Sequence, residues 1–263
     1  MIDTHCHLTS KVFLGREHEI VEAATSAGVR AMISIAVGSD DARAALRLAE
    51  SDARVFCSAG VHPLHSDEAV DWTLLREVGT SPRCVAWGEL GLDRHYQQPA
   101  IEHQRAVLEL QLDHVARWTR EGLAKPIVVH SRKAVAELLP VLRASGLAAD
   151  RFVFHCFTEG PAEARAVLDF GASISFTGVL TFANAPEVAE AARLVPLDRV
   201  MVETDSPYLT PEPHRTVRPN EPRFVGCVAT RLAELHRLDL EAMEKLLDEN
   251  ANRFFGLGLP SGK

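Results

Sequence analysis

Ile127-Val128-Val129-His130 is the stretch that decides the fold: three β-branched apolar residues in a row, closed by a histidine. A run that is apolar at every position fits a strand covered on both faces, as in a parallel sheet. Phe152-Val153-Phe154-His155 and Val200-Met201-Val202-Glu203 repeat the pattern, each ending in a side chain able to bind a metal or move a proton. Working outward, the same reading places further strands at 2–7, 31–37, 55–61, 84–87 and 172–176. Between them the period changes to that of a helix. Ile20, Ala24 and Ala27 share one face, as do Leu108, Leu112 and Val115, and Val135, Leu138, Leu139 and Leu142. Gly28, Gly146 and Gly171 follow such segments where a left-handed residue would end a helix, and Pro161 sits where one could begin.

Eight alternations in 263 residues suit an α/β fold, a closed TIM-like (β/α)8 barrel forming one domain over 1–263. Two further helical stretches, 223–236 and 240–250, are expected outside the barrel. An open doubly wound sheet is the rival, but no Gly-rich phosphate loop follows any strand.

The formal net charge of −8 argues against a broad basic face that grips duplex nucleic acid. Aromatic residues make up only 6%, so no extended stacking platform is expected. Five cysteines lie scattered without a CxxC pair, and the opening Ile2-Asp3-Thr4-His5 is no export signal. Reduced thiols in the cytoplasm are the expectation. No apolar run approaches the roughly 20 residues of a membrane span.

His5 and His7, two apart on the first strand, point to one face. Glu89, His130, His155, Glu203 and Asp205 all fall near the C-terminal ends of proposed strands, where barrel enzymes carry their chemistry. Cys6, between the two histidines, faces away and packs. Imidazole and carboxylate together suit Zn²⁺, Mn²⁺, Co²⁺ or Fe²⁺. Four histidines with two or three acids exceed the needs of one ion, so two are expected, about 3.5–4 Å apart. Such a pair activates water for hydrolysis.

In order along the chain, IDTHCHL, GVHP, GELGLD, PIVVHSR, FHCFTE, SFTGVLTFANA, ETDSPYL, PHR…RPNEP and NANRFFGL resemble the TatD-type deoxyribonucleases. These are a branch of the amidohydrolase-like metal-dependent hydrolases. The resemblance implies that His5, His7 and Asp205 bind one divalent ion and His130 and His155 another, with Glu89 bridging. The ions would be Zn²⁺, Mn²⁺ or Mg²⁺. Asp205 would also orient or deprotonate the attacking water. Glu203 is placed for a third ion or for the reaction itself, unless it supports the site from behind. His62 would face substrate, and Arg215 and Asn220 would hold a phosphate or the leaving strand. Two departures lie at the pocket lip: Arg94-His95-Tyr96 replaces the usual aromatic stretch, and Glu159 stands where many relatives carry Gly.

The resulting expectation is an exodeoxyribonuclease that hydrolyses phosphodiester bonds at DNA ends, preferably single-stranded, with a metal-activated water. The alternative is an amidohydrolase-type enzyme for a C–N or C–O bond of a small molecule. A non-enzymatic metal-containing scaffold is the third reading, disfavoured by the intact ligand set.

Overall fold

The computed structural model describes residues 1–260; the last three residues of the expected domain over 1–263 lie outside the described ones. One parallel sheet runs in sequence order through β1 (Ile2–Cys6), β2 (Ala31–Ser34), β3 (Val55–Ala59), β4 (Cys84–Asp93), β5 (Ile127–Arg132), β6 (Phe152–Phe154), β7 (Ser173–Phe176) and β8 (Val200–Val202). A single parallel bridge, Cys6 to Ser206, brings the end of the last strand back to the first. The TIM-like barrel is thereby nearly closed, with a thin seam between β8 and β1.

Seven helices connect the strands: α1 (Glu17–Ser26), α2 (Ser39–Ser51), α3 (Trp72–Thr80), α4 (Ile101–Arg120), α5 (Val135–Ala144), α6 (Pro161–Phe170) and α7 (Pro186–Ala192). The eighth, α8 (Val225–His236), follows β8, and α9 (Leu240–Phe255) comes last. Both helices expected after the last strand are present: α8 completes the ring and α9 follows it.

The core has two shells. Between sheet and helices lies the larger, which includes Cys6, Leu8 and Phe13. Inside the barrel Ile2, Ile33, Ile35, Phe56, Val128, Val153 and Met201 pack together, joined by Ala251 and Phe255 of α9 and by Leu257. The last turn of α9 thus contributes to the barrel interior. Among the described residues no helix is long and apolar enough to cross a membrane.

The main departure from the sequence reading is β4, expected to stop at Trp87 but continuing to Asp93. Its register with β5 shifts between Trp87 and Leu90, across Gly88 and Glu89. Gly88 has φ +122°, and a Cβ there would lie 2.5 Å from the carbonyl oxygen of Val128. Only glycine fits such a backbone at such an approach. Ser58 fixes the irregularity: its hydroxyl donates to Gly88 O (2.6 Å) and accepts from Ala36 N–H (3.0 Å). Glu89 N–H in turn donates to Ala36 O at 3.3 Å. The interruption in β4 is what holds Glu89 at its station.

Candidate metal centre

The strand ends deliver His5, His7, Glu89, His130, His155 and Asp205 to one side of the barrel. All but the fully buried His5 line the floor of a cavity of about 1030 Å³. His5 Nε2 and His7 Nε2 stand 3.3 Å apart. Both face Asp205 Oδ1, at 3.6 and 3.3 Å, and both face Glu89 Oε1, at 3.8 and 3.7 Å. The other oxygen of Glu89 turns the opposite way. Oε2 lies 2.8 Å from His155 Nε2 and 3.5 Å from His130 Nδ1. One buried carboxylate therefore divides its two oxygens between two imidazole pairs.

The remaining imidazole nitrogens settle which lone pairs are free. His7 Nδ1 is 3.0 Å from Ile35 O, a carbonyl that only accepts, so Nε2 carries the lone pair. His130 Nε2 faces Asp93 Oδ2 at 3.1 Å, leaving Nδ1 free. His155 Nδ1 faces Glu203 Oε1 at 3.3 Å, leaving Nε2 free. An acceptor behind the imidazole, a lone pair in front, is the arrangement metal-binding histidines need. His5 stacks on His155 with ring centroids 3.9 Å apart.

His62 is built the other way round. Its Nδ1 accepts the Leu64 N–H at 3.0 Å, so the proton sits on Nε2. That Nε2 is 3.2 Å from His130 Nδ1 and 4.0 Å from Glu89 Oε2. Although His62, Glu89 and His130 lie close enough to surround an ion, His62 offers an N–H and not a lone pair. It suits a ligand oxygen better than a cation.

The electrostatics agree with a cation-binding floor. Burial presses the Glu89 carboxyl upward, yet His62, His155 and His5 hold it well below the ordinary carboxylate range. Burial drives His5 well below the usual imidazole value and His62 down to about 3. Burial also opposes charge on His7, but Asp205 and Glu89 bring it up to about 9. On His155 burial is likewise outweighed, chiefly by Glu89 and Glu203. These carboxylates draw protons onto imidazoles, and a divalent cation would satisfy the same potential and displace those protons. Glu89 Oε2 and His5 Nδ1 are buried without a hydrogen bond; Oε2 is close to His155 but outside bonding geometry. A buried carboxylate oxygen without a hydrogen bond is costly alone and natural as a ligand. The donor set fits divalent metal.

Backbone strain marks the same rim. Cys156 (φ 45°), Asp205 (φ 51°) and Leu209 (φ 58°) take left-handed conformations in the loops after β6 and β8. Each costs on the order of 1–2 kcal/mol, which the surrounding structure must offset.

Three sequence expectations change. Glu203 and Asp205 both fall at the end of β8, but the left-handed turn at Asp205 (φ 51°) separates them. Glu203 is buried behind His155, where its Oε1 also accepts Cys156 N–H at 2.6 Å and its Oε2 accepts from Thr4 Oγ1 at 3.4 Å. It orients His155 and lies outside the cavity wall. Asn220 is fully buried, and its Nδ2 donates to Thr204 O and Tyr208 O (3.0 and 2.5 Å) while Oδ1 accepts Glu221 N–H. With its amide engaged on backbone, it braces the loop and cannot meet a ligand. Arg215 lays its guanidinium over Phe182, 3.5 Å from the ring centroid, and does not line the cavity. The cations that do are Lys11 and Arg132.

Sequence reasoning missed Asp93 and Asp3. Asp93 holds His130 and accepts the N–H groups of His95 and Tyr96 at 2.8 and 3.1 Å. Asp3 straps β1 to the chain after β8: it accepts Thr204 N–H (2.9 Å), Thr204 Oγ1–H (2.6 Å) and His5 N–H (3.3 Å). Burial pushes its carboxyl up to about 8 against those donors. Their positions, ending GELGLD and preceding the first histidine, were the only signals available.

A barrel of this order carrying such a donor set at its strand ends fits the class of metal-dependent hydrolases. The chain belongs to the family described as TatD related DNase, whose model matches residues 2–256. It is 35% identical to the uncharacterized metal-dependent hydrolase TatD of Mycobacterium tuberculosis, with 98% of both chains covered. It is 34% identical to the 3'-5' ssDNA/RNA exonuclease TatD of Pantoea vagans, over 98% of this chain and 100% of that one. The crystal structure of YJJV, a TatD homolog from Escherichia coli K12, superposes with a TM-score of 0.90 at 27% identity, covering 99% of this chain and 98% of that one.

Proposed function

We propose that this hydrolase is a two-metal 3'-5' exonuclease acting on single-stranded DNA ends. The observation that carries the reading is the division of Glu89: Oε1 toward His5 and His7, Oε2 toward His130 and His155. On this reading His5, His7 and Asp205 hold one ion, His130 and His155 the other, and Glu89 both. Bound there, divalent ions supply Lewis acidity, polarising a phosphoryl oxygen and lowering the pKa of water. Asp205, on the floor of the cavity, orients the attacking water and takes its proton. His62 donates its Nε2–H to a non-bridging phosphate oxygen, where charge grows during in-line attack. Lys11 and Arg132 meet the neighbouring phosphates, and Arg215 serves only a strand that extends beyond the cavity. The 3' polarity is taken from the Pantoea relative's name; a net charge of −8 favours an unpaired end over a duplex, which would call for a broad basic face.

The test is hydrolysis of a single-stranded oligonucleotide by metal-stripped protein with Mg²⁺, Mn²⁺ or Zn²⁺ restored. Stepwise release of 3' nucleotides, abolished by Asp205→Asn, is the expected result. No release by protein shown to bind two ions would remove the nuclease reading and favour a small-molecule substrate.

A further inference from the structure

The chain has two tyrosines, and both line the metal cavity. Tyr96 follows β4 and is 51% exposed; Tyr208 follows β8 and is 59% exposed. Among the described residues no phenylalanine or tryptophan is comparably bare. A packing role would bury these rings, and they are left open instead.

Each ring is tied by backbone to the candidate metal centre. Tyr96 N–H donates to Asp93 Oδ1 at 3.1 Å, the carboxylate whose other oxygen holds His130. Tyr208 N–H donates to Asp205 O at 2.9 Å, and its carbonyl accepts from Asn220 Nδ2. The Tyr208 ring stands 6.3 Å from that of His7. The two phenols share the cavity. Arg132 places its guanidinium 5.3 Å from the Tyr96 ring centroid. Neither Arg132 nor Lys11 has a carboxylate partner among the described residues, so both cations are free to meet an anion. Aromatic planes interleaved with unpaired cations fit bases and phosphates in alternation.

We propose that Tyr96 and Tyr208 form a stacking clamp on the unpaired bases flanking the scissile phosphate of a single-stranded DNA end. Lys11 and Arg132 hold the phosphates between and beside them. The proposal rests on the exonuclease reading above and adds a specificity determinant to it. Because every base has a π-face, the clamp tolerates any sequence but requires a base. Paired ends, whose bases stack on one another, and abasic ends are poor occupants.

Two readouts test it. The first is cleavage of a single strand with an ordinary 3' end against the same strand with its last two nucleotides abasic. Tyr96→Ala and Tyr208→Ala should raise KM for the ordinary strand on the order of tenfold or more each, with kcat changed less. Tyr96→Phe and Tyr208→Phe, which keep the ring, should restore it. The abasic strand should be poor for every protein and indifferent to the alanine changes. The second uses the metal-loaded protein and a strand with cleavage-resistant phosphorothioate linkages ending in 2-aminopurine, whose fluorescence is quenched by stacking. Quenching should occur with the unaltered protein and the Phe variants and fall with either Ala variant. Cleavage without quenching, or equal KM for Ala variants and unaltered protein, would overturn the clamp and leave the nuclease reading standing. Quenching without cleavage under any metal would overturn the nuclease reading and leave the clamp.

Discussion

Asp93 Oδ2 lies 3.1 Å from His130 Nε2, and this contact decides which nitrogen of His130 faces Glu89. Burial and this hydrogen bond compete on the acid. Burial would raise its pKa, but the contact with His130 and the N–H groups of Tyr96 and His95 bring Asp93 down to about 2. The imidazole is thus oriented by a fixed anion. Removing that anion frees the ring to flip or take the other tautomer.

Asp93→Asn should weaken metal binding by about 10- to 100-fold, as losses behind a metal-binding histidine generally do. Competition against a chelator of known affinity measures it. Affinity within twofold of the unaltered protein would show that Asp93 serves only the backbone of the following loop.

Glu89→Gln should cut the number of bound ions and abolish turnover, because an NH2 donor replaces one carboxylate oxygen and cannot face a second cation. Metal analysis after dialysis, beside circular dichroism, separates this from misfolding. Two ions retained per folded chain would refute the bridging assignment.

Asp205→Asn should leave the fold intact and lower kcat by about 10²-fold or more, the scale of general-base catalysis. The amide keeps the size of the side chain, and asparagine tolerates the left-handed φ of 51° found there. Turnover within a few fold of normal would sink the assigned role.

Gly88→Ala should destabilise the fold and disturb the site together. The added methyl would press on Val128 O, at an unfavourable φ of +122°, at a cost of roughly 1–3 kcal/mol in strain alone. Denaturant unfolding and metal affinity should both fall. A variant with normal stability would mean that the interruption in β4 is soft.

Asp52, far from the metal centre, contributes to the acid dependence of the fold. Arg54 clasps it with Nε at 2.9 Å and a terminal nitrogen at 2.6 Å, and these bonds lower its carboxyl below the ordinary value despite burial. A carboxyl whose folded pKa is depressed stabilises fully above its unfolded pKa, near 4, and loses that contribution as pH falls toward the folded value. Asp52→Asn should therefore lower stability at pH 7 and flatten the stability profile below about pH 4. Parallel profiles for both proteins would show that the pair adds nothing measurable.

Strand identity was readable because a barrel strand covered on both faces needs continuous apolarity, and Ile127-Val128-Val129 has no competing period. The histidines were readable because they end those runs. What could not be read depends on backbone geometry that side-chain chemistry does not announce. The extension of β4 to Asp93 follows from the irregularity at Gly88, where a glycine can as easily end a strand as bend one. Glu203 and Asp205 parted because the left-handed turn at Asp205 breaks strand alternation. Asn220, in a polar, proline-rich stretch, looked like a ligand contact because sequence does not tell whether an amide faces solvent or unpaired backbone. Asp93 was hidden by its own motif: the acid that ends GELGLD reads as a loop residue until the strand is seen to reach it.

The thin seam between β8 and β1 carries one further meaning. His5 and His7 stand on one side of it and Asp205 on the other, about 200 residues later along the chain. An ion held by all three would act as a rivet across the weakest joint of the barrel, closing by coordination what the backbone closes with one bridge. Loss of metal should then be felt as mechanical loosening: amides of β1 and of the chain after β8 would exchange with solvent ahead of the rest of the sheet, and the barrel would open at that joint first.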